Sequence, residues 1–538
     1  MHYLLHHLIE TRAALAPAQP ALYHRQEQLC YGELFARVQQ VAGGLRVLGL
    51  QRQERVAIYL PKQHETVISL FASALAGGVF VPINPVLKPP QVQHILADCN
   101  VRILITSRTR LQQLSPVLAH LRDLKQVVLV DDAPPASHAP YALADWRQLQ
   151  DAPACSTPPA SLTDSDMAAI LYTSGSTGKP KGVVLSHRNL MVGAQSVAGY
   201  LGNQSDDRIL AVLPLSFDAG LSQITTAFEA GACCYLMDFL LPKDVQHQVA
   251  RHRITGITAV PPLWSQIASL NWNEEMTGSV RYFANTGGHM PRSLLTRLRT
   301  LFPDARPFLM YGLTEAFRST YLPPDEVDNR PGSIGKAIPN AEVLVLREDG
   351  TPCEPHEPGE LVHRGPLVSQ GYWNDPEKTR TRFRPFPGQA AGLVFRELAV
   401  WSGDTVIRDE EGYLYFVGRR DDMIKTSGYR VSPNEIEEVA YQSGLIRDAV
   451  AIGVPHATLG QAILLIVTLP ATTDATASCV DILLQRCREQ LPNFMVPRKC
   501  FIEAELPRNP NGKIDRRALA ERHADFFDDH PEPPHAEG

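Results

Sequence analysis

The chain has 538 residues, of which 51 are Lys or Arg and 57 are Asp or Glu, and 44% of its side chains are apolar. That length exceeds what one hydrophobic core supports, so it predicts two or more domains and excludes a small binding module, while the composition excludes wholesale disorder. A net charge of -6 lacks the cationic excess that a dedicated nucleic-acid binder sets against phosphate, which excludes nucleic acid as a main partner.

The first ten residues, MHYLLHHLIE, have no basic leader, and no run approaches the roughly 18 apolar residues of a membrane span. The expectation is a protein neither secreted nor embedded in a membrane. Short Val- and Ile-rich runs at 56–60, 101–106, 127–130 and 168–172 read as strands, with a helix over 65–77 followed by the strand VFVPI. Strands alternating with helix-length segments predict an α/β architecture with much parallel sheet. Residues 133–159, dense in Pro, Ala and Ser, read as a connection or a short surface helix and not as a strand. After Gly403, charged turns separate short β-like runs, so the domain organisation read here is 1–417, 418–525 and a disordered tail at 526–538, FFDDHPEPPHAEG. No internal repeat or heptad is present. The nine cysteines are odd in number and dispersed, with Cys233 beside Cys234 and no CxxC pair, which argues against a disulfide framework or zinc site and fits a reducing cytoplasm.

Residues 172–182, YTSGSTGKPKG, carry the strongest local chemistry. Three glycines among small hydroxyl residues let backbone N–H groups wrap an anion, and Lys179 and Lys181 add positive charge. This is a phosphate cradle, and it is not of the Walker type, because Pro180 follows Lys179 and no glycine stands five residues before Gly178. Further compact motifs follow: YGLTE at 311–315, SGD at 402–404, GRRDDMIKTSGYR at 418–430 and PRNPNGKIDR at 507–516.

Together, in this order, these motifs closely resemble the signatures of the adenylate-forming superfamily: acyl-CoA synthetases, beetle luciferases and peptide-synthetase adenylation domains. The resemblance covers nearly the whole chain. It implies a large N-terminal domain of several subdomains, with sheets and crossover helices, plus a small mobile α+β C-terminal domain. It also implies ATP and Mg2+ as cofactors, with coenzyme A or a carrier-protein phosphopantetheine as thiol, a small carboxylic acid as substrate and an acyl carrier protein as an optional partner.

The resemblance assigns roles residue by residue. Thr173, Ser174, Gly175, Ser176, Thr177, Gly178 and Lys181 would hold the phosphates, and Gly287, Gly288 and Tyr311 would form the adenine slot. Asp404 would accept hydrogen bonds from both ribose hydroxyls, with Arg419 beside it. Thr314 would touch the α-phosphate, and Glu315 would be the magnesium ligand, a hard oxygen donor suited to that ion. Lys513 would bridge the carboxylate and the α-phosphate. The small domain would then rotate about Asp421, so that Lys425 and the channel glycine Gly428 serve the thiol step.

Within PLSFDAG at 214–220, Phe217 and Asp218 face the acyl substrate in this reading. Many fatty-acyl synthetases carry histidine nearby, whereas amino-acid adenylation domains carry Phe-Asp, whose aspartate binds the substrate ammonium. Asp218 therefore marks an amino-acid substrate or caps the following helix. The segments YLPKQ (59–63), GGVFVPINPVLKP (77–89), MYGLTEAFRSTYLPP (310–324) and RPGSIGKAIPNAE (330–342) look like exosortase-associated AMP-forming acyl-CoA ligases, whose neighbours include stand-alone prolyl-carrier-protein ligases. The expected function is an AMP-forming ligase that passes an acyl group to a thiol, coenzyme A foremost. The alternatives are loading of an amino acid such as proline onto a carrier protein, a non-catalytic nucleotide-binding scaffold, and luciferase-like oxygenation.

Overall fold

The computed structural model describes residues 3–131, 139–159, 161–173, 180–238, 241–390, 392–419, 422–426, 429–456, 459–470, 477–509 and 512–529. Two large sheets and one small sheet organise them. The first has seven strands, ordered Ala142–Asp145, Gln126–Leu129, Val101–Thr106, Arg55–Tyr59, Val79–Pro82, Met167–Thr173 and Lys181–Ser186, and only the last pairing is antiparallel. The second has fourteen strands and is parallel through Pro20–His24, Cys233–Leu236, Arg208–Ala211, Gly256–Ala259, Tyr282–Asn285 and Arg306–Tyr311. Parallel neighbours require crossover helices, which is why helix-length segments separate the apolar runs in the sequence.

The main core lies between these sheets. Helices Tyr31–Val47, His64–Leu75, His187–Leu201 and Asp218–Ala230 fill it, with the Phe71 and Phe228 rings 5.4 Å apart. The His187–Leu201 helix illustrates how the sequence sets its limits: the Ser186 hydroxyl accepts the Asn189 N–H, and Gly202 ends it at φ 63°.

The small sheet contains Ile424–Thr426, Tyr429–Val431, Asp448–His456, Gly460–Thr468 and Lys499–Ile502. Its strands alternate faces: Ala449, Ala451, Ile463 and Leu465 pack with Ile436 and Leu483, whereas Val450, Ile452, Leu464 and Ile466 pack with Leu519 and Phe527. The α/β expectation with a smaller α+β domain is met. Among the described residues no helix is long and apolar enough to cross a membrane. Eight cysteines are buried, and Cys30 is half-buried.

Two expectations are corrected. Residues 133–159 do contain a strand, Ala142–Asp145, followed by the short helix Trp146–Gln150. A four-residue edge strand needs only one neighbour, and its register with Gln126–Leu129 supplies the order that the mixed local composition does not. The tail reading fails for its first four residues, because Phe526–Asp529 is helical and Phe527 is buried beside His456, with ring centroids 5.0 Å apart. Two adjacent phenylalanines had enough apolar surface to dock.

Candidate active site

The carboxyl ends of the parallel strands in the fourteen-stranded sheet open into a cleft of about 1440 Å³, walled on its far side by the small domain. This edge of an α/β sheet is where the chain leaves its ladder and its backbone and side chains become available to a ligand. Strand Tyr282–Asn285 runs directly into Gly287 and Gly288, and strand Arg306–Tyr311 delivers Tyr311 and then Thr314 and Glu315. Strand Arg208–Ala211 leads to Phe217 and Asp218.

Gly287 has φ 75°, and an added Cβ would lie 3.2 Å from Val260 Cγ1, 3.3 Å from Lys513 Cε and 3.5 Å from Phe217 Cζ. Only glycine suits this meeting point of three segments. The Asn285 amide closes the turn by donating to the Gly288 carbonyl at 2.9 Å, while Asn285 Oδ1 and Ser216 Oγ are buried without a protein partner. Of the two, Ser216 lines the cleft, and an orphaned polar atom there points to a polar ligand.

Tyr311 donates its hydroxyl to Asp404, and the Arg419 Nε lies 3.4 Å from the other oxygen of that carboxylate. Asp404 and Arg419 face each other in the antiparallel pairing of Leu398–Arg408 with Leu414–Arg419, so the ladder itself sets their spacing. Burial raises the Asp404 carboxyl above its ordinary range, against the pull of Arg419, and burial beside that carboxylate drives the Tyr311 phenol far upward. An aspartate so enclosed, with one tyrosine and one arginine on it, is preorganised to accept hydrogen bonds.

Glu315 lies in the turn Thr314–Ala316, and both Thr314 and Glu315 are buried. The next two residues, Phe317 and Arg318, have φ of 44° and 140°, a strained run directly behind the carboxylate. Tyr372 donates to Glu315 Oε1 at 2.6 Å, and the Lys181 ammonium stands 4.5 Å from the centre of the same tyrosine ring. Burial lowers the Lys181 ammonium from its ordinary value, with Glu315 opposing. Thr173 and Lys181 are cross-strand partners on either side of the glycine-rich motif in the sequence. Ser174, Gly175, Ser176, Thr177 and Gly178 lie outside the described residues, as do Asp421 and Gly428.

Lys513 belongs to the small domain. Its loop is closed by its own N–H donating to Asn509 Oδ1 and by Asn509 N–H donating to the Lys513 carbonyl at 2.8 Å. The ammonium projects to 5.7 Å from the Phe217 ring centre, and burial, then Arg419, lowers it to about 8 against Asp218, Asp404 and Glu315. Lys425 is exposed on strand Ile424–Thr426 and does not line this cleft. The geometry therefore gathers Lys513 with Gly287, Phe217, Tyr311, Asp404 and Arg419, and leaves Lys425 apart.

Asp218 does not cap its helix. Phe217 holds the N-cap position of Asp218–Ala230, and no side chain caps that end. Instead Asp218 is buried with its carboxylate 3.9 Å from the equally buried Arg318, which also donates to Thr286 Oγ1 at 3.1 Å. The cap expectation fails because the carboxylate answers a long-range cation that sequence spacing does not reveal. Sequence reasoning missed Arg318 and Tyr372; only the position of Arg318 three residues past Glu315 hinted at it.

The donor set fits magnesium and a nucleotide: a buried carboxylate fixed on one oxygen, cations at Lys181, Arg419 and Lys513, and a glycine pair at the cleft wall. Residues 9–373 match the family model described as AMP-binding enzyme, and residues 435–513 match that of the AMP-binding enzyme C-terminal domain. A long-chain-fatty-acid–CoA ligase of Salmonella typhimurium is 28% identical over 543 residues, covering 95% of this chain and 93% of that protein. The L-proline–[L-prolyl-carrier protein] ligase of Pseudomonas fluorescens is 29% identical over 527 residues, covering 96% and 99%. A linear gramicidin synthase of Brevibacillus parabrevis is 30% identical over 96% of this chain, which spans only 10% of that protein. Among solved structures, the o-succinylbenzoate coenzyme A synthetase of Bacillus subtilis, in complex with ATP and magnesium ion, superposes with a TM-score of 0.79 at 27% identity, over 95% of this chain and 98% of that one.

Proposed function

The chain belongs to the AMP-binding enzyme family and is an AMP-forming acid–thiol ligase, and on that premise we propose how its residues divide the work and which acid it takes. In the first half-reaction a carboxylate oxygen attacks the α-phosphorus of ATP and pyrophosphate leaves, giving an acyl-adenylate. In the second, a thiolate sulfur attacks the acyl carbonyl and AMP leaves.

The observation that carries the assignment is the convergence of Lys513, Asp404 and Gly287 from two domains on one cleft. Two anions must meet in the first step, and a partly desolvated ammonium between them neutralises charge at low reorganisation cost. Asp404 and Arg419 hold the ribose, Gly287, Gly288 and Tyr311 line the adenine, and Thr173 to Gly178 with Lys181 and Thr314 take the phosphates. Glu315, with one oxygen held by Tyr372, would hold the magnesium ion, which when bound offsets phosphate charge.

Residues 1–417 form the large domain, and the small one begins at 418, carries the docked helix Phe526–Asp529 at its end, and turns about Asp421 to exchange Lys513 for Lys425 and the Gly428 channel. The exposure of Lys425 outside the cleft that holds Lys513 supports this alternation. The enzyme works in the cytoplasm, where ATP and the thiol are supplied.

The acid is one without an α-ammonium, and coenzyme A is the acceptor. Arg318 already supplies the cation that an amino-acid substrate would bring to Asp218, and a second cation there would be repelled. The likeness of 59–63 and 330–342 to acyl-CoA ligases supports the same reading. Loading of proline onto a carrier protein is the second reading, favoured by the burial of Asp218 in the substrate-facing segment. Acid-dependent pyrophosphate exchange across fatty, aryl and amino acids, with matched amino and deaminated pairs, decides between them. Preference for the amino acid would overturn the first reading.

A further inference from the structure

The segment YLPKQ contains a lysine that the reaction above does not use. Lys62 is 6% exposed, and its ammonium donates to three successive carbonyls, Ala211 at 3.0 Å, Val212 at 2.7 Å and Leu213 at 3.1 Å. An ammonium has three hydrogens to donate, so this one is fully committed. Its own loop is fixed in turn: the Lys62 N–H donates to Asp238 Oδ1 at 3.2 Å, and Thr66 Oγ1 donates to the Pro61 carbonyl at 2.6 Å.

The three carbonyls lie where strand Arg208–Ala211 ends and the chain turns toward Phe217 and Asp218. Gln223 completes the hold by accepting the Leu213 N–H at 3.1 Å and donating to the Leu210 carbonyl at 2.8 Å. Gly220 lies close against Pro214, since a Cβ there would come 2.0 Å from the Pro214 carbonyl oxygen. Consecutive carbonyls released from a ladder repel one another and would otherwise seek water, and a buried cation is an uncommon way to satisfy them. Burial lowers Lys62 to about 8, so at neutral pH it keeps the third proton that the third carbonyl needs.

We propose that Lys62 is a positioning residue for the acid subsite, a clamp from the first sheet that fixes residues 211–218 and thereby sets Phe217 beside the substrate while Asp218 stays paired with Arg318. The proposal rests on the reading of Phe217 as acid-facing. It makes a lysine some 150 positions upstream a determinant of acid affinity while leaving the nucleotide half of the site alone.

Amide hydrogen exchange of the full chain, without ligand, tests the clamp directly. Lys62→Met should speed exchange across 212–218 by about tenfold or more, leave 282–288 within about twofold, and Lys62→Arg should return 212–218 toward the wild-type rate. In acid-dependent pyrophosphate exchange, Lys62→Met should raise KM for the acid by about tenfold with KM for ATP within about twofold. Unchanged exchange at 212–218, or equal acceleration everywhere, overturns the proposal, as does an equal rise in both KM values. If Lys62→Met does not fold, Lys62→Gln, which keeps two donors on a shorter arm, should give an intermediate acceleration confined to the same segment. A wild type without any acid-dependent activity would overturn the acid-facing reading instead, and the amide exchange would still judge the clamp.

Discussion

The ammonium of Lys513, carried by the small domain, stands 5.7 Å from the centre of the Phe217 ring on the large domain. A cation over an aromatic face is held weakly and can be withdrawn, which suits a group needed in only one of two steps. Lys513→Ala should therefore slow adenylation by about 10²-fold or more while leaving thioester formation from supplied acyl-adenylate near wild type. Equal losses in both half-reactions, measured separately, would argue against alternation.

The same lysine sets an alkaline limit. Its working form is the ammonium, and burial brings it to about 8 in the free enzyme, so kcat/KM for adenylation should fall as pH rises through 8. Lys513→Arg, slower overall, should keep its charge and lose that limb. A limb that stays near pH 8 in the arginine variant must belong to another group.

Asp218→Asn should leave the buried Arg318 guanidinium without its counter-charge and cost roughly 3 kcal/mol of stability. Adding Arg318→Gln should recover most of that loss. Thermal and denaturant melts of the two single variants and the double variant supply the cycle, and strictly additive losses would show that the pair is not coupled.

Tyr372→Phe removes one hydroxyl while keeping the ring under Lys181 and against Phe383, where the centroids are 5.7 Å apart. Loss of a hydrogen bond to a carboxylate is worth about 1.5 kcal/mol, so roughly tenfold more Mg2+ should be needed for half-maximal activity. Calorimetric titration of Mg2+ in the presence of ATP should give the same shift, and an unchanged midpoint would mean that Glu315 needs no such support.

Stability should decline in mild acid. His187 is fully buried, and burial lowers its pKa to about 4, so folding favours the neutral ring. Its contribution is complete above pH 6.5 and is lost as pH falls from 6.5 toward 4, by at most about 3 kcal/mol. Denaturant melts across this window should show a shallower slope for His187→Gln, and an identical slope would clear this residue.

The strands and their helices were legible because the period that marks them sits in contiguous residues. Gly287, Tyr311, Asp404, Arg419 and Lys513 were legible only as a resemblance, yet they converge on one cleft. What stayed hidden were partnerships across long separations. Asp218 meets a cation a hundred positions away, and Glu315 meets Tyr372 through a chain reversal, so no window of sequence holds both members. The strand Ala142–Asp145 was hidden for the same reason, since its order comes from a neighbour in the sheet.

The concealment of the cysteines bears on the second half-reaction. An enzyme that repeatedly admits a free thiol risks being captured by it, as a mixed disulfide, whenever its own sulfur is exposed under oxidising stress. Burial pushes the thiols of Cys99, Cys233 and Cys500 up to about 12, which leaves almost no thiolate at neutral pH. The incoming thiol thus meets a protein with little sulfur able to react, and the acyl carbonyl is left as its natural target.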